Sequence, residues 1–202
     1  MNDLRDLPFA MPLGIAIGGR CSVRDFRPDK VDRKTIERLL QAAVFAPTAI
    51  QQEPCAFVVV QDRAVLKRIS DRAKPLFLDE IQRVHVRRSG HGFNIFAEPD
   101  FNIFYNAGTL ILLCGLTDAP FVMANCWLAA ENILLAAYAA GLGSCLIGAA
   151  VPVLNEDESK RELKIPASHN VVAPIIVGVP NGDGPARATK EPMVLHWQWE
   201  RE

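Results

Sequence analysis

Arg20, Ser22 and Arg24 stand at alternate positions in the run Arg20-Cys21-Ser22-Val23-Arg24-Asp25-Phe26. In an extended segment alternate side chains leave from one side, so the three converge. Each guanidinium is a planar, permanently charged fork that matches phosphate oxygens, and the hydroxyl adds a neutral donor between them. The chemistry this permits is anion binding. In isolation such a run is more often a solvated turn with two surface arginines, and it gains weight only from companion stretches further along the chain. A second stretch, Ala46-Pro47-Thr48-Ala49-Ile50-Gln51-Gln52-Glu53-Pro54, holds a hydroxyl and two amides between two prolines. A rigid loop of that kind suits the polar edge of a planar heterocycle or a sugar-like chain. Alone, it reads as a plain helix-to-strand connection.

Other chemistries find little support. The histidines, His85, His91, His169 and His196, show no ligand spacing with cysteine or acid, which argues against a metal site. Gly141-Leu142-Gly143 follows a helical pattern rather than a strand, so it is not a dinucleotide-binding turn. There is no GxSxG elbow, and no cysteine has a histidine at a telling position. With no nucleophile or acid/base pair legible, an enzyme built on this chain would leave the chemistry to a cofactor, with no catalytic side chain of its own.

A chain of 202 residues, half of them apolar, is expected to form one domain over 1–202. A net charge of −1 gives no field that would attract nucleic acid or an acidic membrane. Five cysteines, an odd number without a CxxC pair, read as reduced core thiols. The N-terminus carries acids and has no apolar core behind a basic start, so it is not a secretory signal, and a cytoplasmic location is expected.

The elements that must position these residues follow from periodicity. Pro12 to Ile17 predicts a short helix ended by Gly18-Gly19. Asp32 predicts an N-cap for a helix with Ile36, Leu39, Leu40, Ala43 and Val44 on one face, stopped by Pro47. Ala56–Val60 predicts a strand, followed by a helix from about Arg63 to Ala73. From Pro75 a second helix runs to Arg88, and Ser89-Gly90-His91-Gly92 breaks it. Phe93, Phe96, Phe101, Phe104 and Tyr105 then form an insertion that either lids a pocket or packs on a partner, or else an ordinary apolar mini-core. Thr109–Leu116 predicts a central strand buried on both faces. Phe121 to Ala140 is apolar all round and about 30 Å long as a helix, which is membrane-span length. Asn125, Glu131 and Asn132 within it argue against a bilayer. A helix with no polar face must be buried all round, which in so small a domain predicts a homodimer with this helix at or near the interface. Ser144 to Gly148 predicts a third strand, Asn155 with Glu158 a capping box, and Val171–Val179 a fourth strand with an edge or bulge at Pro174. The rest, from Gly182 on, is loop-like, with Arg187 and Lys190 ahead of Pro192, and Trp197 and Trp199 beyond.

Taken together and in order, the RxSxR run, the APTAxQ run, Ala130-Glu131-Asn132 leading into Gly141-Leu142-Gly143-Ser144-Cys145-Leu146-Ile147-Gly148, and the late basic pair resemble the nitroreductase-like flavoproteins. The resemblance spans nearly the whole chain. It implies an α+β fold of three layers, α/β/α, with a central, mostly antiparallel sheet flanked by helices and a long buried helix at a homodimer interface. It also implies FMN at that interface. By resemblance, Arg20 and Ser22 hold the FMN phosphate and ribityl chain, and Arg24 lies near the N1/O2 edge of the flavin. Pro47, Thr48, Ala49 and Gln51 reach in from the other subunit. Ile147 and Gly148 pass near N5, and Arg187 or Lys190 closes over the phosphate. The implied activity is NAD(P)H-dependent, with NADH or NADPH reducing the flavin in a ping-pong cycle and a nitroaromatic, quinone or enone as acceptor. The alternatives are a flavin-binding redox sensor or partner protein with little turnover, and a specialised member that remodels a flavin or dehalogenates an aromatic. The chain departs from the family's common APSAxNxQPW at Thr48, Gln51, Glu53 and Cys55, and it has Asn125 where an acid is frequent.

Overall fold

The computed structural model describes residues 11–49, 55–84, 95–182 and 191–199. In chain order its elements are α1 (Leu13–Gly19), α2 (Arg33–Val44), β1 (Ala56–Val60), α3 (Arg63–Val84), β2 (Thr109–Leu116), α4 (Val122–Ala139), β3 (Gly143–Leu146), a 3₁₀ turn (Gly148–Ala150), α5 (Val151–Leu154), α6 (Asp157–Glu162) and β4 (His169–Gly178). The four strands form one antiparallel sheet in the order β1-β2-β4-β3.

β2 explains the layering. All but the last of its residues are buried, and successive side chains leave opposite faces of the sheet. Leu110, Leu112 and Cys114 pack with Leu66, Ile69 and Ala73 of α3 and with Val153 and Leu154 of α5. Ile111 and Leu113 pack with Leu39 and Ala43 of α2 and with Ile133 and Ala137 of α4. Helices therefore cover both faces, giving the expected three-layer α+β arrangement.

Local signals account for most boundaries. Asp32 caps α2 by accepting the Thr35 amide at 3.0 Å. Other boundaries differ from expectation. Gly18 and Gly19 form the last turn of α1 rather than lying beyond it. Gly19 is needed there for proximity, since a Cβ would meet the Tyr138 hydroxyl of α4 at 2.2 Å. The two helices expected around Pro75 are one helix of 22 residues with Pro75 inside it. Proline removes a single rung of the helix, and the turns before it are anchored by the fully buried Ile69 and Ala73.

Asn155 does not N-cap a helix; it is the C-cap of α5. The N-cap of α6 is Glu156, and Asn155 instead clamps β4, donating from Nδ2 to the Val151 and Val171 carbonyls (3.0 and 2.9 Å) and accepting the Val171 amide at 2.8 Å. The third strand ends at Leu146, two residues earlier than expected. Pro174 lies in an interior strand, β4, not at an edge. A bulge is present two residues before Pro174 rather than at it, because Leu113 pairs with Ala173 while Cys114 pairs with Val171, leaving Val172 as the extra residue.

α4 is long and apolar enough, by length and composition, to cross a membrane, and 44% of it is buried inside the chain. Asn125, Cys126, Ala129, Ala130, Ile133, Leu134, Ala136 and Ala137 face inward. Met123, Trp127 and Leu128 remain exposed on the single chain, so the all-round burial expected of this helix is not reached within one copy.

Candidate functional site

The run from Arg20 to Phe26 leaves α1 and lies along the open edge of β3. Ser22 forms a parallel bridge with Ser144, and the Val23 amide donates to the Ser144 carbonyl at 3.0 Å. Further along, Phe26 bridges Pro180 and the Arg27 amide reaches the Val179 carbonyl at 2.9 Å. Val23 and Phe26 point into the core. They fit there because β3 and β4 offer glycines: a Cβ on Gly143 would stand 2.9 Å from Val23 and 3.1 Å from Phe26, and one on Gly178 3.1 Å from Phe26. With Val23 plugged inward, its neighbours Ser22 and Arg24 turn the other way.

What they turn toward is Cys145. Burial pushes its thiol up, and this is opposed by the charge of Arg24, a hydrogen bond with Ser22 and the charge of Arg20, in that order. Ser22 is thus bonded to the sulfur, while the two arginines act on it through their charge alone. Arg24 also lies within hydrogen-bonding reach of Tyr105, whose hydroxyl is pushed up by burial and pulled back by that cation. Arg24, Tyr105, Phe77, Phe96, Ile147 and Gly148 line a pocket of about 200 Å³. Its aromatic wall is a chain of rings: Phe77 to Phe96 at 4.6 Å, Phe96 to Phe101 at 5.1 Å and Phe101 to Tyr105 at 5.5 Å between centroids. Of the aromatics expected here, Phe96 and Tyr105 line the pocket, Phe104 is fully buried in the core, and Phe93 lies outside the described residues.

Arg20 carries the feature that most invites a ligand. Its Nε is buried and makes no hydrogen bond among the described residues. Glu131 of α4 stands 3.4 Å from it, close enough for an ion pair but not for hydrogen-bond geometry. A cation held in this way fits an incoming anion, and the site fits a phosphate.

Pro47, Thr48 and Ala49 dock elsewhere on α4. The Ala49 amide donates to the buried Asn125 Oδ1 at 3.1 Å. Asn125 and Glu131 are six residues apart, so the two anchor points are separated by about 9 Å along the helix. One helix thus holds both stretches. Gln51, Arg187 and Lys190 lie outside the described residues, as does Glu53.

Three participants carry no signal of their role in the sequence. Tyr105 reads there as one aromatic among several, Cys145 as a core thiol, and Glu131 as a letter of a motif. A larger cavity, about 420 Å³, opens between Pro28, Arg63, Ser70 and Phe101. Its polar groups already serve the fold, since Arg63 donates to the Pro28 carbonyl at 2.8 Å and Ser70 Oγ accepts the Ile103 amide at 3.1 Å.

Fold and site together define a class: a three-layer α+β domain with a cationic cradle set beside an aromatic-walled pocket. The sequence profile described as Nitroreductase family matches residues 17–179, and the chain belongs to that family. It is 29% identical over 170 residues to a protein of Archaeoglobus fulgidus that carries the provisional name NADH dehydrogenase/NAD(P)H nitroreductase, covering 81% of this chain and 83% of that one. It is 30% identical over 192 residues to the 5,6-dimethylbenzimidazole synthase of Rhodospirillum rubrum, covering 90% and 87%. Among solved structures, the nitroreductase of Bacteroides fragilis with bound FMN superposes with a TM-score of 0.76 at 19% identity, over 95% of this chain and 100% of that one.

Proposed function

We propose that the protein is an FMN-dependent NAD(P)H oxidoreductase that works as a homodimer. The observation that carries this reading is the RxSxR segment laid along β3, with Arg24 lining the pocket that Ile147 and Gly148 share and the Arg20 Nε buried and without a hydrogen-bond partner among the described residues. Bound FMN would supply hydride transfer, taking a hydride from NADH or NADPH and passing it, in a ping-pong cycle, to a nitroaromatic, quinone or enone.

The chain's own residues have simpler tasks. Arg20 and Ser22 bind the phosphate end, where a charge of about −1.5 to −2 calls for several donors. Arg24, itself exposed, places a positive charge at the mouth of the aromatic pocket, within hydrogen-bonding reach of Tyr105. Phe77, Phe96 and Ile103 exclude water from the pocket. Arg187 or Lys190 and Gln51 complete the shell in this reading.

Two features support the homodimer. The 200 Å³ pocket is small beside the roughly 300–1,000 Å³ of ordinary ligand sites, so a second copy would supply the missing walls. Met123, Trp127 and Leu128 on α4, Leu13 and Ile15 on α1, and Leu195, Trp197 and Trp199 near the C-terminus are all exposed on one chain. So much apolar surface calls for cover, and a helix nearly apolar all round is covered most simply by a copy of itself.

The visible spectrum of the purified protein, with the mass of any released cofactor, tests the reading. Flavin bands with one FMN per subunit support it, and a colourless protein that takes up no added FMN refutes it. Rapid-mixing reduction by NADH and by NADPH then separates an enzyme from a redox sensor, which would reduce slowly. The 30% identity to a synthase favours keeping a specialised, flavin-remodelling or dehalogenating member as the second reading. Product analysis with oxygen present distinguishes it.

A further inference from the structure

Cys55 and Cys126 bring their sulfur atoms to 3.1 Å, with the Cys55 thiol donating to Cys126. They are 71 residues apart in sequence. Cys55 immediately precedes β1 and is partly exposed, whereas Cys126 lies in the second turn of α4 and is buried. A disulfide bond is about 2.05 Å long, so the two atoms need to close by only about 1 Å. None of the five cysteines is in a disulfide.

The surroundings set this pair apart from the other thiols. Cys55 is pushed up by the hydrogen bond it donates to Cys126 and by burial, while accepting that bond pulls Cys126 down, so thiolate character gathers on Cys126. Cys114, on β2 nearby, is pushed up to about 12 by burial and keeps its proton. Cys145 is engaged with Ser22, Arg20 and Arg24 at the candidate site. Among the described residues no cluster of three or more histidine, cysteine or acidic side chains is placed to hold a metal ion, which leaves oxidation rather than metal binding as the chemistry open to the pair.

We propose that Cys55 and Cys126 form a redox-sensitive dithiol that closes to an intramolecular disulfide on oxidation by hydrogen peroxide. In the first step one sulfur attacks the peroxide, the O–O bond breaks, and a sulfenic acid and a water molecule form. In the second the neighbouring thiol attacks that sulfur, the S–O bond breaks, and the oxygen leaves as a second water. Two S–H bonds are lost, one S–S bond is gained, and the two electrons given up by sulfur reduce peroxide to water. Peroxide reaches the pair from the Cys55 side. Reduction by a small dithiol reverses the change through a mixed disulfide.

The position gives the bond a consequence. Asn125 already holds the Ala49 amide, and its neighbour Cys126 would then hold Cys55 covalently. Oxidation would tie the approach to β1 onto the same turn of α4 that anchors the Pro47–Ala49 stretch. This inference uses no property of the cofactor and stands apart from the oxidoreductase reading.

The test is peptide mass mapping of the full-length protein as purified, treated with peroxide, blocked with N-ethylmaleimide and digested without reductant. The expected result is a cross-linked peptide pair containing Cys55 and Cys126, two hydrogens lighter than the separate peptides, lost after dithiothreitol and retained in C21S. Midpoint temperature should rise on oxidation by about 4 °C or more, because the bond closes a long loop. The proposal is overturned if both cysteines remain fully alkylated, if Cys126 pairs with Cys114 instead, or if the only disulfide formed joins two chains. The mapping is done on the wild-type chain, so it stays decisive even where C55S or C126S fails to fold.

Discussion

Replacing Arg20 by alanine and Glu131 by glutamine should move FMN affinity in opposite directions. Arg20 is held by the return of the chain from α1 and is about one-fifth exposed, so its charge is only partly screened. Its Nε has no hydrogen-bond partner among the described residues, and a phosphate would supply one. A hydrogen bond to a charged group contributes about 1.5–3 kcal/mol, so R20A should weaken FMN binding by roughly 10- to 150-fold. Glu131 competes for the same cation, but it stands 3.4 Å away and is half exposed. Pairs of that kind contribute about 0.2–1 kcal/mol. Neutralising Glu131 should therefore release Arg20 and tighten FMN binding by roughly 1.4- to 5-fold. The assay is titration of the cofactor-free protein, followed by flavin fluorescence, with FMN and with riboflavin in parallel. Riboflavin lacks the phosphate, so R20A should leave its affinity almost unchanged. Equal losses for both flavins would mean that Arg20 acts on the fold or the ring rather than the phosphate. A weaker FMN complex in E131Q would show that Glu131 positions Arg20 instead of competing for it. Either result would sink the argument.

Three more outcomes are expected from the packing. N155A removes three hydrogen bonds and strands the buried Val171 amide and carbonyl, so it should cost about 2–4 kcal/mol in denaturant unfolding without changing the residues that line the pocket. G143A places a Cβ 2.9 Å from Val23 and 3.1 Å from Phe26, so it should lower stability by about 1–3 kcal/mol and also weaken FMN binding, because Ser22 and Arg24 ride on the same segment. Asp32 is held below the usual carboxylate range, chiefly by its hydrogen bonds from Thr35. Its folded-state pKa is thus lower than its unfolded one, so its contribution is complete above the unfolded value near 4 and fades as pH falls through the folded value. The stability gap between wild type and D32A, read from thermal midpoints at pH 6 down to pH 2, should narrow as acid is added.

Much of the fold is legible locally, and the exceptions have physical reasons. Asp32 announces α2 because a cap is satisfied within four residues, and β2 announces itself because burial on both faces leaves an unbroken apolar run. Asn155 misleads because its spacing to Glu158 copies a cap, whereas its real partner, Val171, is sixteen residues away and cannot be seen in a window. Pro75 misleads because propensity weighs one residue, while α3 is held by the burial of Leu66, Ile69 and Ala73 in the core beneath the sheet. At the site, the alternation of Arg20, Ser22 and Arg24 is legible. Its neighbour Cys145 is not, since it comes to Ser22 only when β3 pairs beside the segment. Tyr105 is hidden in the same way, because Phe77, Phe96 and Phe101 become its neighbours only after the chain has turned between α3 and β2.

α4 ties the fold to the site. Asn125, Glu131 and Asn132 are the residues that speak against a bilayer, because polar groups in so apolar a helix are costly unless they are partnered. Each has a partner. Asn125 accepts the Ala49 amide, Glu131 faces Arg20, and Asn132 donates to the Ala42 carbonyl at the end of α2. The polar residues of the helix are thus its attachments to the segments that build the candidate site, and the apolar residues between them split into one face that meets the sheet and another, with Met123, Trp127 and Leu128, that stays exposed among the described residues. A helix fixed to the site on one side and open on the other couples any second copy that covers it to the cradle. Substitutions on the open face, such as Trp127→Glu, should then lower flavin affinity as well as dissociate the proposed dimer, and sedimentation run beside a flavin titration would show the two effects rising together. A W127E protein that is monomeric yet binds FMN as tightly as wild type would place the whole site within one chain.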